Sequence, residues 1–356
     1  MVCIVLRFAL ATFAMFAATL GASAPAGAPV TRTIGDEGPL KLRFAGSMLV
    51  AVASARAVAT PVETLGAASP VAAYAGTAMW SRRNPDTGRF RLVQAIDGAT
   101  PTVVAVAERE GPFDVDLGTN RRGSTYAVYS RDGDLFRLEP RSGTETKLTG
   151  LSSPRLAERN PTIQRGEIAF LRFDGSTNQL RIGNTSSASN ATRLLKTDRV
   201  GTGRVLVSAE LGMEQIAYVE SFIGDFEGHN YRLRVRNLTT GRDRVVYRTN
   251  GGGLNDANIT KPSFTDDLRS FVWARTNNGS ETGNRIVRYM LRTGALSYAK
   301  GNPRYFSTAW VSDRLGAVTS STNIEPLGAG DDECHDASRE VCRIEYTGPL
   351  SFTLKP

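Results

Sequence analysis

The chain reads as an all-β protein, a six-bladed β-propeller of four-stranded antiparallel blades, on three observations. Between residues 71 and 356 one pattern of strand-like runs recurs six times, with second-strand centres at Trp80, Tyr129, Phe170, Tyr218, Trp273 and Val318. Their spacings of 49, 41, 48, 55 and 45 residues match the length of one propeller blade. Within the repeats, polar and apolar residues alternate, as half-buried strands require. A small polar residue followed by Gly joins the third and fourth strands in five of the six repeats, where backbone with positive φ is needed.

From the N-terminus, Met1–Ala24 has the form of a secretory signal: one early cation at Arg7, an apolar run from Phe8 to Leu20, and Ala22-Ser23-Ala24 as a cleavage site. Ala26-Gly27-Ala28 is the alternative site, and the apolar run is too short and too rich in Ala and Thr for a membrane span. Residues 25–37, rich in Pro, Gly and Thr, read as a flexible lead-in, and 38–356 as the propeller. Leu40-Lys-Leu-Arg-Phe44 and Ser47-Met-Leu-Val-Ala-Val52 are two strand candidates. The favoured arrangement has this 38–68 segment closing a six-bladed ring; the alternative is seven blades with an incomplete N-terminal one.

The second repeat is the most regular. Phe113–Leu117 reads as its first strand, Ser124–Ser130 as its second, Asp134–Glu139 as its third and Glu145–Leu148 as its fourth. Asp132-Gly133 supplies a two-residue hairpin turn. The other repeats follow, with turns at Asp97-Gly98, Thr240-Gly241, Thr293-Gly294 and Thr347-Gly348, and Leu350–Leu354 as the last fourth strand. The third repeat departs, with a Ser- and Asn-rich loop from Asn184 to Asn190. One such sheet leaves both faces uncovered, so the blades need each other and a closed ring.

The segment Lys261-Pro-Ser-Phe-Thr-Asp-Asp-Leu-Arg-Ser-Phe-Val-Trp-Ala-Arg275 resembles the repeat of TolB-like propellers, Pro-x-aromatic-Ser-x-Asp-Gly before an Ile-Ala-Phe strand. Ile168-Ala-Phe170 and Ile216-Ala-Tyr218 match that strand, and Asn160-Pro-Thr-Ile163 echoes the preceding Pro. Here Asp267 is followed by Leu268 rather than Gly. The resemblance implies an exported bacterial propeller. It carries over neither the Tol function nor any site residue, since the α/β domain that precedes the propeller in that family has no counterpart here.

Two cysteines remain once the signal is removed, Cys334 and Cys342, and in an exported chain this pair reads as a disulfide. A metal site with His335 is the rival, though it offers only three ligands. The chain carries 43 Lys and Arg against 35 Asp and Glu, and lysine occurs only at 41, 147, 196, 261, 300 and 355. Arginines such as those in Arg232-Leu-Arg234-Val-Arg236 alternate with apolar residues and read as a solvated strand face rather than a nucleic-acid surface.

Catalytic signatures are absent: there is no Gly-x-Ser-x-Gly, no His-Glu-x-x-His and no Cys-x-x-Cys, and His229 and His335 are the only histidines. Two clusters stand out. Asp114 and Asp116 lie two apart on one strand, pointing to the same side, where they would hold Ca²⁺ or a cationic group at the channel, or else pair with Arg121 and Arg122. The stretch Ser221–Asn230 is the longest excursion between strands two and three of a regular repeat, and Phe222, Asp225, Phe226 and His229 are its candidate contacts. The competing reading folds those aromatics into a small satellite core. Asp331-Asp332-Glu333 adds a second acidic cluster, read as a solvated loop with calcium as the rival.

Together these features predict a secreted or periplasmic, non-catalytic module that binds a protein or a cell-envelope polymer, with no required cofactor. The competing class is a carbohydrate-active enzyme, a glycosidase or lyase, with two or three carboxylates converging at the channel.

Overall fold

The computed structural model describes residues 31–33, 39–45, 48–52, 60–65, 69–185, 191–223, 229–249, 257–277, 284–300, 304–322 and 342–354. Every regular element among them is a β-strand. The chain divides into two compact units, Met1–Arg56 and Ala57–Pro356.

The first unit holds a three-stranded antiparallel sheet, Thr31–Thr33, Pro39–Ala45 and Met48–Val52, in that order. Both strands expected in this stretch exist, but they pair with each other rather than with the last repeat. Thr31–Thr33 is a strand inside what reads as a flexible lead-in; it pairs with Pro39–Lys41. The signal segment lies outside the described residues.

The second unit is the propeller. Blade 1 comprises Val71–Tyr74, Thr77–Arg83, Phe90–Ile96 and Thr102–Val103. Blade 2 comprises Asp116–Thr119, Thr125–Arg131, Asp134–Glu139 and Thr144–Lys147. Blade 3 runs Ala157–Gln164, Glu167–Phe173, Thr177–Asn184 and Arg193–Arg199, and blade 4 runs Arg204–Leu211, Gln215–Ile223, His229–Asn237 and Asp243–Arg248. Blade 5 has an inner edge split into Ala257–Ile259 and Ser263–Phe264, followed by Ser270–Asn277, Arg285–Met290 and Leu296–Lys300. Blade 6 takes Arg304–Ser312, Gly316–Thr322 and Cys342–Tyr346 from the C-terminal part of the chain.

The fourth strand of blade 6 is Thr60–Leu65, antiparallel to Cys342–Tyr346. The ring therefore closes by pairing an N-terminal strand with the C-terminal blade, and residues 60–65 are the closing part of the 38–68 segment. The expected last strand shrinks to Thr353–Leu354 and pairs instead with Leu296–Lys300 as a fifth strand on blade 5. A closed ring leaves no sheet faces uncovered and ties both ends of the fold together, which an end-to-end repeat cannot do.

Each junction between blades contains one apolar cluster. Trp80 packs with Val311, Val318 and Ile344 between blades 1 and 6, and Tyr129 with Met79 and Leu92 between blades 2 and 1. Phe170 faces blade 2, Tyr218 faces blade 3, and Trp273 faces blade 4. All six second-strand centres are fully buried. Val318, however, is one residue out of step with the others. It faces forward to blade 1, whereas Ala317 occupies the backward-facing place and Tyr305 and Trp310 supply the missing bulk there. Strand side chains alternate faces, so a one-residue offset inverts the direction.

Backbone ladders run within blades, so the inner strands are joined by side-chain oxygens. Asp116 Oδ2 accepts the Ile163 amide at 2.9 Å, Thr162 Oγ1 the Leu211 amide at 2.9 Å, Ser263 Oγ the Trp310 amide at 3.0 Å, and Ser307 Oγ the Val71 amide at 3.0 Å. These link blades 2 to 3, 3 to 4, 5 to 6 and 6 to 1, and give each buried amide its acceptor. The inner strands of blades 3, 4 and 6 carry bulges at Arg159/Thr162, Leu206/Ser208 and Tyr305/Ser307, which bend them beside the axis.

Candidate functional site

The inner strands bring together three charged side chains from non-adjacent positions in the chain. Lys261 Nζ, from blade 5, lies 2.6 Å from Asp116 Oδ1 of blade 2 and 3.1 Å from Glu210 Oε2 of blade 4. Asp116 and Glu210 are buried and Lys261 is partly so. Thr162 Oγ1 donates to Glu210 Oε2 at 3.2 Å. The cluster thus joins blades 2, 3, 4 and 5 through polar contacts alone.

Its electrostatics follow from burial. Desolvation, and then the charge of Asp116, push the Glu210 carboxyl well above the usual carboxylate range. Burial alone would push the Lys261 ammonium down, but Asp116 and Glu210 together outweigh it and hold the lysine above its ordinary 10.5. The raised Glu210 carboxyl lowers the cost of placing two acids beside one ammonium in a poorly hydrated place.

The Asp116 carboxylate lies between the Ile163 amide and Lys261. Asp114 and Asp116, two apart in sequence, both reach blade 3, and the first strand begins only at Asp116. Asp114 accepts four donors: the Ser130 amide at 2.9 Å, Ser130 Oγ at 2.6 Å, Arg109 Nη1 at 3.1 Å and the Asn160 amide at 2.6 Å. Its cationic partner is Arg109 rather than Arg121 or Arg122, and Asp116 pairs with a lysine. Among the described residues no group of three or more His, Cys, Asp or Glu side chains is arranged to hold a metal ion.

The second predicted cluster is more ordered than an open loop. The hairpin ladder continues through Ser221–Tyr231, Phe222–Asn230 and Ile223–His229. Asp225 and Phe226 lie outside the described residues, as do Cys334 and Asp331-Asp332-Glu333. His229 opens the third strand of blade 4. Phe222 is half-buried, with the Arg232 guanidinium 4.2 Å and the Arg248 guanidinium 5.5 Å from its ring centroid. Cys342 is fully buried.

Lys261 and Glu210 were not singled out from sequence. Lys261 had one available signal: it is one of six lysines in an arginine-rich chain, and it opens the Lys-Pro-Ser-Phe motif that leads into an inner strand. Glu210 had none, since nothing in its neighbourhood separates it from other strand acids.

No protein-family model and no curated protein sequence matches the chain. Solved structures do. An oligogalacturonate lyase in complex with manganese superposes with a TM-score of 0.51 at 10% identity, covering 90% of this chain and 96% of that one. TolB from Acinetobacter baumannii gives 0.46 at 14% identity over 77% of this chain, and the chain spans 65% of the length of that protein. A nidogen/laminin complex gives 0.46 at 9%, covering 72% and 88%. At such identities the likeness carries the propeller fold and leaves the chemistry open.

Proposed function

We propose that the protein is an exported, non-catalytic propeller that binds a protein or an envelope polymer through the loops and blade edges of one face. The observation that carries this reading is the occupancy of the channel acids. Asp116 and Glu210 both contact Lys261, accept from the Ile163 amide and Thr162 Oγ1 respectively, and are buried. Acids held in this way act as a brace between blades, while the exposed ends of the strands supply the variable surface. Export through the Met1–Ala24 signal, release outside the cytoplasm and a Cys334–Cys342 disulfide are consistent parts of the same proposal.

A second reading rests on the same three residues. Two acid side chains beside one ammonium, one of them with its pKa raised by burial, is also a way to set apart a general acid and a general base. A carbohydrate-active enzyme would use them so. The test is to present the chain from residue 25 onward to panels of neutral and acidic glycans and envelope extracts, with and without calcium. Saturable binding without product formation supports the binding module. Release of new glycan ends that disappears in Asp116→Asn and Glu210→Gln overturns it in favour of the enzyme.

A further inference from the structure

The face of blade 4 turned toward blade 3 carries a concentration of positive charge that the fold does not neutralise. Arg204 lies across the ladder from Phe222, and Arg232 from Arg248, with Glu220 beside Arg232, so all five side chains share one face of blade 4. Arg232 and Arg248 both stack on the Phe222 ring. Arg204 and Arg248 are exposed and Arg232 is half-buried. Among the described residues none of these three arginines has a carboxylate within ion-pair distance.

The contrast with their neighbours is informative. Glu220 is occupied by Lys196 at 2.8 Å, with Arg234 at 3.9 Å, and Arg234 is bonded to Asp243 at 2.9 Å. The acids of this face are therefore already paired with other cations. Burial, followed by repulsion from Arg248 and Arg204, lowers the pKa of Arg232. Like charges gathered on one face repel one another, and the stacking of Arg232 and Arg248 on Phe222 recovers only part of that.

A further polar group lies beside this face. Asp198, on the outer strand of blade 3, is 7% exposed, and its Oδ2 has no hydrogen-bond partner. Its surroundings include Lys196, Glu220, Arg204 and Arg234. An unpartnered buried oxygen beside unpaired guanidinia suits a ligand that brings acid groups and hydroxyl donors together.

We infer that this patch, formed by Arg204, Phe222, Arg232, Arg248 and Asp198, binds a segment of acidic polysaccharide. Its acid groups lie on the guanidinia, a ring hydroxyl donates to Asp198 Oδ2, and the apolar edge of a sugar rests against Phe222. Guanidinium forks match carboxylates in plane and number of donors, which lysines would not. The inference names the ligand and site within the binding-module reading, and so rests on it.

The experiment measures binding of the chain from residue 25 onward to alginate, dextran and poly-L-glutamate at two salt concentrations. The variants are the triple substitution Arg204→Gln, Arg232→Gln, Arg248→Gln, and separately Asp198→Asn. Expected are salt-sensitive binding to alginate, none to dextran, at least tenfold weaker binding by the folded triple variant, and a smaller loss for Asp198→Asn. Circular dichroism and melting curves establish that the variants are folded; should the triple variant not fold, Arg204→Gln with Arg248→Gln, both exposed, serves in its place with the same expectation. Alginate binding unchanged in the variants overturns this site while leaving the binding module intact. Equal binding to poly-L-glutamate makes it an acidic-peptide site and overturns the glycan assignment. No binding to alginate overturns the inference as well, and the wider panel then decides the module itself.

Discussion

Lys261 and Asp116 stand 145 positions apart in sequence and 2.6 Å apart in space, joining blade 5 to blade 2. Adjacent blades already share apolar clusters, so this contact adds something different, a polar tie between blades that are not neighbours. Lys261→Met tests its weight. The substitution keeps the stem and removes the charge, leaving Asp116 and Glu210 facing each other in a buried place. Breaking such a cluster from one side is expected to cost about 2–4 kcal/mol at neutral pH, the lysine's partial exposure being the reason for the lower end. Urea unfolding at pH 7 measures it, and a loss under about 0.5 kcal/mol, the size of an ordinary surface change, would remove the brace.

Glu210 gives this cluster a pH dependence with a definite sign. Its carboxyl holds its proton in the fold to higher pH than in the unfolded chain, because of burial and the adjacent Asp116. The folded state then binds more protons across that window, so this group's contribution is complete below its ordinary 4.5 and declines as pH rises toward the folded value. Glu210→Gln has no proton to lose. The stability of the variant relative to wild type is therefore expected to increase with pH above 4.5, by at most about 1.4 kcal/mol per unit, and then to level off. A difference that stays flat from pH 4 to 8 counts against the raised carboxyl. Lys261 acts in the opposite range: held above 10.5, its contribution is present at neutral pH and is lost only on strongly alkaline titration.

The propeller was legible because its signals are local and repeated. Trp80, Tyr129, Phe170, Tyr218 and Trp273 each mark a second strand, and the turn glycines 98, 143, 241, 294 and 348 all have positive φ. Leu268 stands where the TolB-like repeat has Gly, and it too has a positive φ of 55°, so the turn was kept while its residue changed. What was not legible depends on pairing between distant segments. Nothing in Thr60–Leu65 states that it will meet Cys342–Tyr346, and nothing in Glu210 states that it will meet Lys261. The offset at Val318 is not legible for a related reason: an apolar pair, Ala317 and Val318, offers either residue as the centre, and only the neighbouring blades decide.

Gly118 marks the tightest approach between inner strands. A Cβ there would lie 1.9 Å from the Ile163 carbonyl oxygen and 2.9 Å from its carbon, both backbone atoms that cannot turn aside. Gly118→Ala is expected to destabilise by more than about 2 kcal/mol by forcing blades 2 and 3 apart. Gly111→Ala is the control, since a Cβ at 111 meets nothing within 4 Å. Equal melting temperatures for the two variants would show that the blades separate freely at this point.

Cys342 sits in the strand that receives the closing segment, where it is fully buried. A disulfide to Cys334 would anchor the start of that strand. Unfolding the chain from residue 25 onward, made under oxidising conditions, without reductant and titrating thiols is expected to find none, and two after reduction. Cys334→Ser is expected to lower stability by about 2–3 kcal/mol, the scale for closing a short loop. Two reactive thiols before reduction would leave Cys342 as an ordinary core residue.

Ring closure through Thr60–Leu65 makes the fold's stability depend on a strand far from the repeats it completes. Without it, the Cys342–Tyr346 strand becomes an uncovered edge with free backbone donors and acceptors in a buried row, including the amides opposite Glu63 and Leu65. A chain beginning at residue 67 retains all six apolar clusters, because none of their described members precedes Val71. If stability came from those clusters alone, the shortened chain would melt like the full one. The expected result is instead a lower melting temperature with concentration-dependent aggregation. A chain beginning at residue 57, which lacks the first unit but keeps the closing strand, is expected to match the full-length protein. Identical behaviour of the two truncations would mean that the propeller closes without the strand, and that its pairing with blade 6 contributes nothing measurable.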